Sequence, residues 1–434
     1  MSPSYRGRNI RGRTLAIVAT VAVITGGALG ARQIPNGGSP EPPGAGLANL
    51  WMDTTTSGNT CTRSSTPIAY VSNDACNSAN AAYLAASAGD TILIKAGSYG
   101  SQDIDDRPSL GTSDVIFHPA PTELVTWADL NLQTHDVHID GGDTINVNET
   151  NRLTITTDAN MRAAGNLGTR NLILEDIHTR NSFNDADGIT LQYSEIGPQN
   201  VCVPPNSSDL VQFWVVGTDA PTDMALLYND IHDNNWNACD DNGDHPDALQ
   251  VYPNFTTADN IQVIGNHFWH CGTQCIFVGG GSYTNTRVEN NMVEESDDCN
   301  NCGVSGDVNY FSEDPGGNNT FAYNTIEGNA VLPEGIQIVG NVFLSNHSCA
   351  ASTYSYNVFR TSGGSTCGSN TKRCTPLLSD GSPYSGDTDA NWHISPTDTC
   401  ARQAGNPSSF PAKDVDEQTR PIGTIDAGAD EVGS

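Results

Sequence analysis

Two short segments of this chain hold an unusual density of groups that can move protons or hold a cation. Asp185 to Leu191 reads DADGITL, and Asp244 to Val251 reads DHPDALQV. Aligned on their apolar ends, they place Asp187 beneath Asp247 and Asp185 near His245. His178, Arg180, His232, Asp233 and His270 lie in the neighbouring segments. Like carboxylates one strand apart repel unless they share a proton or a cation. Hard oxygens from Asp185, Asp187, Asp244 and Asp247 suit calcium. Asp240 to Asp244, DDNGD, has the composition of a calcium loop without the full EF-hand spacing. The same set is competent for acid/base work, with Asp187, Asp247, His245, His232, His178 and Arg180 as the catalytic candidates. Each of these residues alone is equally well read as a solvated turn residue. Their coincidence in adjacent segments is what points to a site.

Segments this far apart in sequence converge only if the chain stacks them, and the sequence carries a repeat that does so. Between Met224 and Gly280 a short apolar segment anchored by Asn, with a large apolar residue two positions on, occurs at Asn229/Ile231 and again at Asn266/Phe268. The pattern continues at Asn290/Met292, Asn324/Ile326, Asn341/Phe343 and Asn357/Phe359, and Glu175/Ile177 fills the slot upstream. Apolar residues alternate over a few positions and are split by Gly, Asn and Asp, which is a strand signature. A unit too short to bury its own apolar face must stack on its neighbours. The repeat therefore predicts an all-β solenoid of parallel coils, with Asn forming an amide ladder at one turn. A β-sandwich with Asn-rich turns is the alternative. Stacking brings equivalent positions to about 4.8 Å from one another. On the Ile177 and Ile231 anchors it sets His178 under His232, and it lines up Thr179, Asp233 and His270.

Two further segments carry a resemblance. Ala81 to Gly100, AAYLAASAGDTILIKAGSYG, is a short helix followed by Gly-Asp-Thr-Ile and Ala-Gly-x-Tyr; Arg420 to Glu431 reads RPIGTIDAGADE. Both resemble the entry coil and the closing segment of right-handed parallel β-helix proteins of the pectate-lyase-like superfamily, exported bacterial members in particular. The resemblance covers roughly 51–431. It implies a right-handed parallel β-helix with a short N-terminal capping helix and a C-terminal cap, and an extended polysaccharide as partner. It is specific for architecture and weak for activity, because the fold carries lyases, hydrolases and non-catalytic shafts. In the lyases calcium neutralises a uronate carboxylate while Arg or Lys removes a proton. None of the three lysines here (Lys95, Lys372, Lys413) lies near the patch in sequence, which leaves Arg180 as cationic base, or His245 or His232 in its place. A hydrolase would use two carboxylates, such as Asp187 and Asp247. Trp236, Trp269 and Tyr252 offer sugar-stacking faces, with His270 beside them. The non-enzymatic alternative is a glycan-binding or adhesion β-helix on the cell surface.

Charge and compartment bound the reading. The 434 residues carry a formal charge of −31, with no acidic residue before Glu41. Five arginines precede that point, so the remainder holds 14 basic against 50 acidic residues. Such a body does not bind nucleic acid through its general field. In residues 1–32 four arginines precede the apolar run Thr14 to Ala31, which reads as a signal peptide or an uncleaved transmembrane anchor. Either sends the acidic body out of the cytoplasm, so contact with a membrane is expected through this segment alone. Residues 33–50 form a Pro/Gly-rich linker, and 51–431 one β-helix domain, expected to be a monomer. Twelve cysteines in an exported chain favour disulfides, with zinc ligation the alternative for Cys271, Cys275, Cys299 and Cys302. Cys61 with Cys76 is the best local pairing, Cys275 and Cys299 could meet across coils, and three cysteines beyond Phe359 tie the C-terminal cap.

Overall fold

The computed structural model describes residues 46–432 apart from 56–59, 106, 109–112, 143–151, 162–163, 171–172, 175–181, 185–186, 198–208, 215–220, 235–246, 272, 295–307, 311–316, 346, 348–352, 361–366 and 380–392. At 152, 157–161, 164–170, 173–174, 182–184, 187, 214 and 309 the backbone alone is described. Residues 1–32, expected to be a signal peptide or anchor, and most of 33–50, expected to be a linker, lie outside these residues. Among the described residues no helix is long and apolar enough to cross a membrane.

The chain winds into a right-handed parallel β-helix. Its first sheet has twelve strands, all parallel, from Leu50–Met52 to Thr353–Ser355. Each turn then passes through a second and a third sheet before returning to the first. The turn Ala225–Leu227, Asp230–His232, Leu249–Tyr252 is followed by Gln262–Ile264, His267–Trp269, Ile276–Val278, each strand pairing with its equivalent. In the early turns the second and third sheets are one bent strand: Leu124–Leu132 pairs along most of its length with Arg152–Met161, with a register shift between Trp127 and Asp129. At the N-terminal end the helix Ala79–Ala85 closes the stack. Ser78 caps it by accepting from the Ala81 amide, and Ala79, Ala82 and Tyr83 face the core.

Strand alternation sends every second side chain inward. In the second sheet Ile196, Ile231, Phe268, Val293, Ile326, Phe343 and Phe359 form one inward column, all buried. Burying a side chain of this size contributes about 1.5–3 kcal/mol, so each turn is held by the next.

The amide ladder runs through Asn229, Asn266, Asn291, Asn324, Asn341 and Asn357. Each Oδ1 accepts both the backbone N–H and the Nδ2 of the preceding asparagine, at 2.9–3.0 Å. The expected anchor Asn290 is off by one. Asn-Asn at 290–291 offers two choices, and Asn291 takes the ladder because Val293, two positions on, is the inward residue. Asn290 belongs to the corner just before it, where Tyr193, Tyr228, Gly265, Asn290, Tyr323, Gly340 and Tyr356 all have φ between 52 and 71°. At Gly265 a Cβ would fall 2.4 Å from the Tyr228 ring, so only glycine lets the two turns approach there. The slot upstream of Asn229 is Ser194, with Ile196 inward, and above it comes Ile173–Leu174. The expected Glu175/Ile177 anchor lies outside the described residues, and counting from it straight to Asn229 passed over the Ser194 turn.

Beyond Arg373 the C-terminal segment is disulfide-tied through Cys374–Cys400, and Cys61–Cys76 pairs as expected. Cys271 bonds to Cys275 within one turn, which removes both the Cys275–Cys299 pairing and the zinc alternative for those two residues. The segment does more than cover the last turn. It runs back along the glycine–tyrosine corner, with Gly428 N donating to Gly340 O (2.7 Å), Asn290 Nδ2 to Lys413 O (2.7 Å) and the Tyr193 hydroxyl to Glu417. Leu378, Ile394, Val415 and Ala427 cover the outward Met292, Val342, Leu344 and Val358 of the second sheet. Arg420 is fully buried and donates to Glu431 Oε2 (3.0 Å), Asn290 Oδ1 and the carbonyls of Asp426, Gly428 and Ala429. That network gives the Arg-Pro…Asp-Ala-Gly-Ala…Glu segment its physical reason.

Candidate functional site

The second sheet turns polar on its outer face where the C-terminal segment stops covering it. Glu195, Asp230 and His267 form one outward column, continued by the covered Met292. His232 and Trp269 form the other. Because they are strand neighbours, the His232 imidazole stacks flat on the Trp269 indole, with centroids 4.3 Å apart and planes 8° apart. Trp269 Nε1 donates to Asp230 Oδ1 at 2.6 Å, and His267 Nδ1 lies 3.5 Å from the same oxygen. His267 Nε2 lies 4.0 Å from Glu294 Oε1.

The turn after these strands adds a second carboxylate–imidazole group. Asp233 and His270 are aligned, as expected, both with left-handed backbone (φ 53° and 47°). His232 Nδ1 lies 2.9 Å from Asp233 Oδ2, and His270 Nδ1 lies 2.8 Å from Asp233 Oδ1. His232 Nε2 is 3.4 Å from Glu195 Oε1, so this nearly buried imidazole sits between two carboxylates. Burial works against its charged form, but Glu195, Asp230 and Asp233 outweigh that and hold its pKa above the ordinary value. Asp230, Asp233 and Glu195 have side chains 36–44% exposed, within reach of a ligand. The arrangement can give up a proton from His232, accept one at a carboxylate, and seat an apolar sugar face against indole.

A second acidic group lies at the entry to the third sheet. Leu249 pairs with Val211, which puts Asp247 beside Asp209. The Asp247 amide donates to Asp209 Oδ1 (2.8 Å), Thr273 Oγ1 donates to Asp247 Oδ1 (2.9 Å), and Gln212 Nε2 donates to Asp209 Oδ2 (2.9 Å). Asp247 is completely buried, and burial together with the Asp209 charge pushes its carboxyl well above the usual carboxylate range.

The expected Asp187–Asp247 column is therefore not formed. Asp187 opens a strand of the first sheet and pairs with Ala164, whereas Asp247 leads into the third. The two segments share a turn-like Asp pattern at different corners of the coil. His178 is not the strand neighbour of His232 either: in the preceding turn Ile196 pairs with Ile231, so Gly197 precedes His232 there. His178, Arg180, Asp185, Trp236, Asp244 and His245 lie outside the described residues. Of the calcium candidates Asp185, Asp187, Asp244 and Asp247, the structure describes the side chain of Asp247. Tyr252 sits on the third sheet, over Gly280 and edge-on to the exposed Phe255. Of the residues singled out in the sequence, His232, Asp233, Trp269 and His270 come together. Glu195, Asp230, His267 and Glu294 were missed, although alternation about Ile231 and Phe268 marks Asp230 and His267 as outward.

No known protein-family description matches this chain, and no curated protein matches it by sequence. Among solved structures it is similar to pectate lyase Pel9A, with 12% identity, a TM-score of 0.51, and coverage of 89% of this chain and 98% of that one. An alginate lyase (10% identity, TM-score 0.31, 77% and 58% covered) and the Dettilon tailspike protein (12%, 0.26, 66% and 63%) also match. The chain thus has the parallel β-helix fold of pectate-lyase-like proteins. At such identity the likeness defines the fold and leaves activity to the site.

Proposed function

We propose that this chain acts on an extended polysaccharide outside the cytoplasm, and that the glycan lies across the outer face of the second sheet at His232 and Trp269. The observation that carries the reading is the flat His232–Trp269 stack, ringed by Glu195, Asp230, Asp233 and His270. Trp269 offers a surface for a sugar ring. His232, protonated below its raised pKa, serves as general acid, and an exposed carboxylate, Glu195 or Asp230, serves as base. Three disulfides among the described residues support an oxidising compartment.

The test is a screen of neutral, amino and uronate polysaccharides, with and without calcium, following both cleavage and retention. Absorbance of an unsaturated product separates elimination from hydrolysis. On the enzyme reading His232→Gln loses turnover while retaining the glycan, and Trp269→Ala weakens both. Retention that needs Trp269, with no cleavage of any glycan, establishes a binding shaft instead. A glycan cleaved or held equally well by both variants places the site elsewhere.

A further inference from the structure

We propose that His393, Asp416 and Asp430 form a divalent-cation site, best matched to zinc, that staples the C-terminal segment into its irregular path. These three side chains come from well-separated stretches of that segment. His393 Nδ1 lies 3.2 Å from Asp416 Oδ2 and 3.1 Å from Asp430 Oδ1, and the three ligand atoms all lie within 4.8 Å of one another. A four-coordinate ion with bonds of about 2.0–2.2 Å sets its ligand atoms roughly 3.3–3.6 Å apart, close to this spacing. A single N–H, by contrast, cannot align well with two acceptors at once.

The ligands are oriented as metal ligands are, by bonds from behind. Asp430 Oδ2 accepts from the Ile394 amide at 2.8 Å, which turns Oδ1 toward His393. The Asp416 amide donates to Asp414 Oδ1 at 3.0 Å, which fixes the turn that presents Asp416. Both ligating aspartates are buried, and the fully buried Asp414 beside them adds a further carboxyl. Arg420, the buried cation of this segment, is bonded to Glu431 and to backbone carbonyls. An ion bound here adds positive charge beside these buried carboxylates. The His393 side chain is 24% exposed, which leaves room for water as a fourth ligand. One imidazole with two carboxylates suits zinc better than calcium or magnesium, which take oxygen alone.

The staple has a structural use. Residues 393–432 contain no helix or extended strand, so their path depends on cross-links such as Cys374–Cys400 and Arg420–Glu431. The experiment takes the full oxidised chain, strips it with chelator, and titrates zinc by calorimetry alongside thermal melting. One saturable site and a rise in Tm are expected. His393→Ala and the shape-conserving Asp416→Asn should each lower zinc affinity by about tenfold or more and remove the Tm rise. His270→Ala, at the other carboxylate–imidazole group, should change neither. Absence of saturable zinc binding, or binding that survives both His393→Ala and Asp416→Asn, or that disappears in His270→Ala, overturns the proposal.

Discussion

Replacing Asn291 by alanine tests whether the amide ladder holds the turns in register. The Asn266 backbone N–H and Nδ2 both donate to Asn291 Oδ1 at 3.0 Å, while Asn291 Nδ2 donates to Val263 O (2.8 Å) and Asn324 Oδ1 (3.0 Å). Asn291 is completely buried, so water cannot substitute for the lost amide. Two buried donors on Asn266 are stranded, at about 1–3 kcal/mol each, for a total of roughly 2–6 kcal/mol. In a chain of this length each kcal/mol moves the Tm by about 1.2 °C, so a fall of roughly 2–7 °C is expected. Asn285 is the control. It sits on a left-handed backbone (φ 53°), which glycine tolerates, and its amide bonds with Asp259 and Asn318 are exposed. Asn285→Gly should stay within about 0.5 kcal/mol. Hydrogen exchange should also speed at the Asn266 amide in Asn291→Ala and remain unchanged in Asn285→Gly. Equal melting shifts for the two variants, or an Asn266 amide as protected as before, would refute the ladder as the source of register.

Three further outcomes are expected. Because the His232 pKa is raised in the fold, its stabilisation is fully present below the unfolded value of about 6.5 and is lost as pH rises through the folded value. NMR titration should place His232 above that reference, and Glu195→Gln or Asp233→Asn should bring it down. The opposite displacement would exclude His232 as the general acid. Asp247 also has a raised pKa, so its contribution is complete below the unfolded value of about 3.9 and declines as pH rises toward the folded one. Asp247→Asn should flatten that decline in urea-unfolding curves measured across pH, and an unchanged slope counts against the shared burial with Asp209. Peptide mapping without reduction should recover Cys61–Cys76, Cys271–Cys275 and Cys374–Cys400; a Cys275–Cys299 peptide would contradict the Cys271–Cys275 bond.

The solenoid was legible because its signal is repeated. Asn229, Asn266, Asn324, Asn341 and Asn357 each precede a large apolar residue by two positions, and that spacing suffices to place one at the turn and the other in the core. Alternation then fixes which neighbours face outward, and on that ground His232 and Trp269 could be chosen. The entry helix and the Arg420–Glu431 closing segment were readable through their resemblance to the ends of pectate-lyase-like β-helix proteins.

What the sequence left open was decided by register and by long-range packing. A short turn pattern such as Asp-x-apolar fits more than one corner of a coil, so Asp187 and Asp247 looked equivalent while the hydrogen-bonded strands assign them to different sheets. Asn290 and Asn291 differ by a single position, and only the inward direction of Val293 separates them. Ser194 breaks the asparagine pattern, so the turn it anchors was passed over, and His178 was counted against the wrong neighbour. The meeting of His393, Asp416 and Asp430 has no local signature at all. It depends on an irregular segment folding back along the corner of the stack, a path set by buried contacts with Asn290, Thr325 and Gly340 rather than by any periodicity in the segment itself.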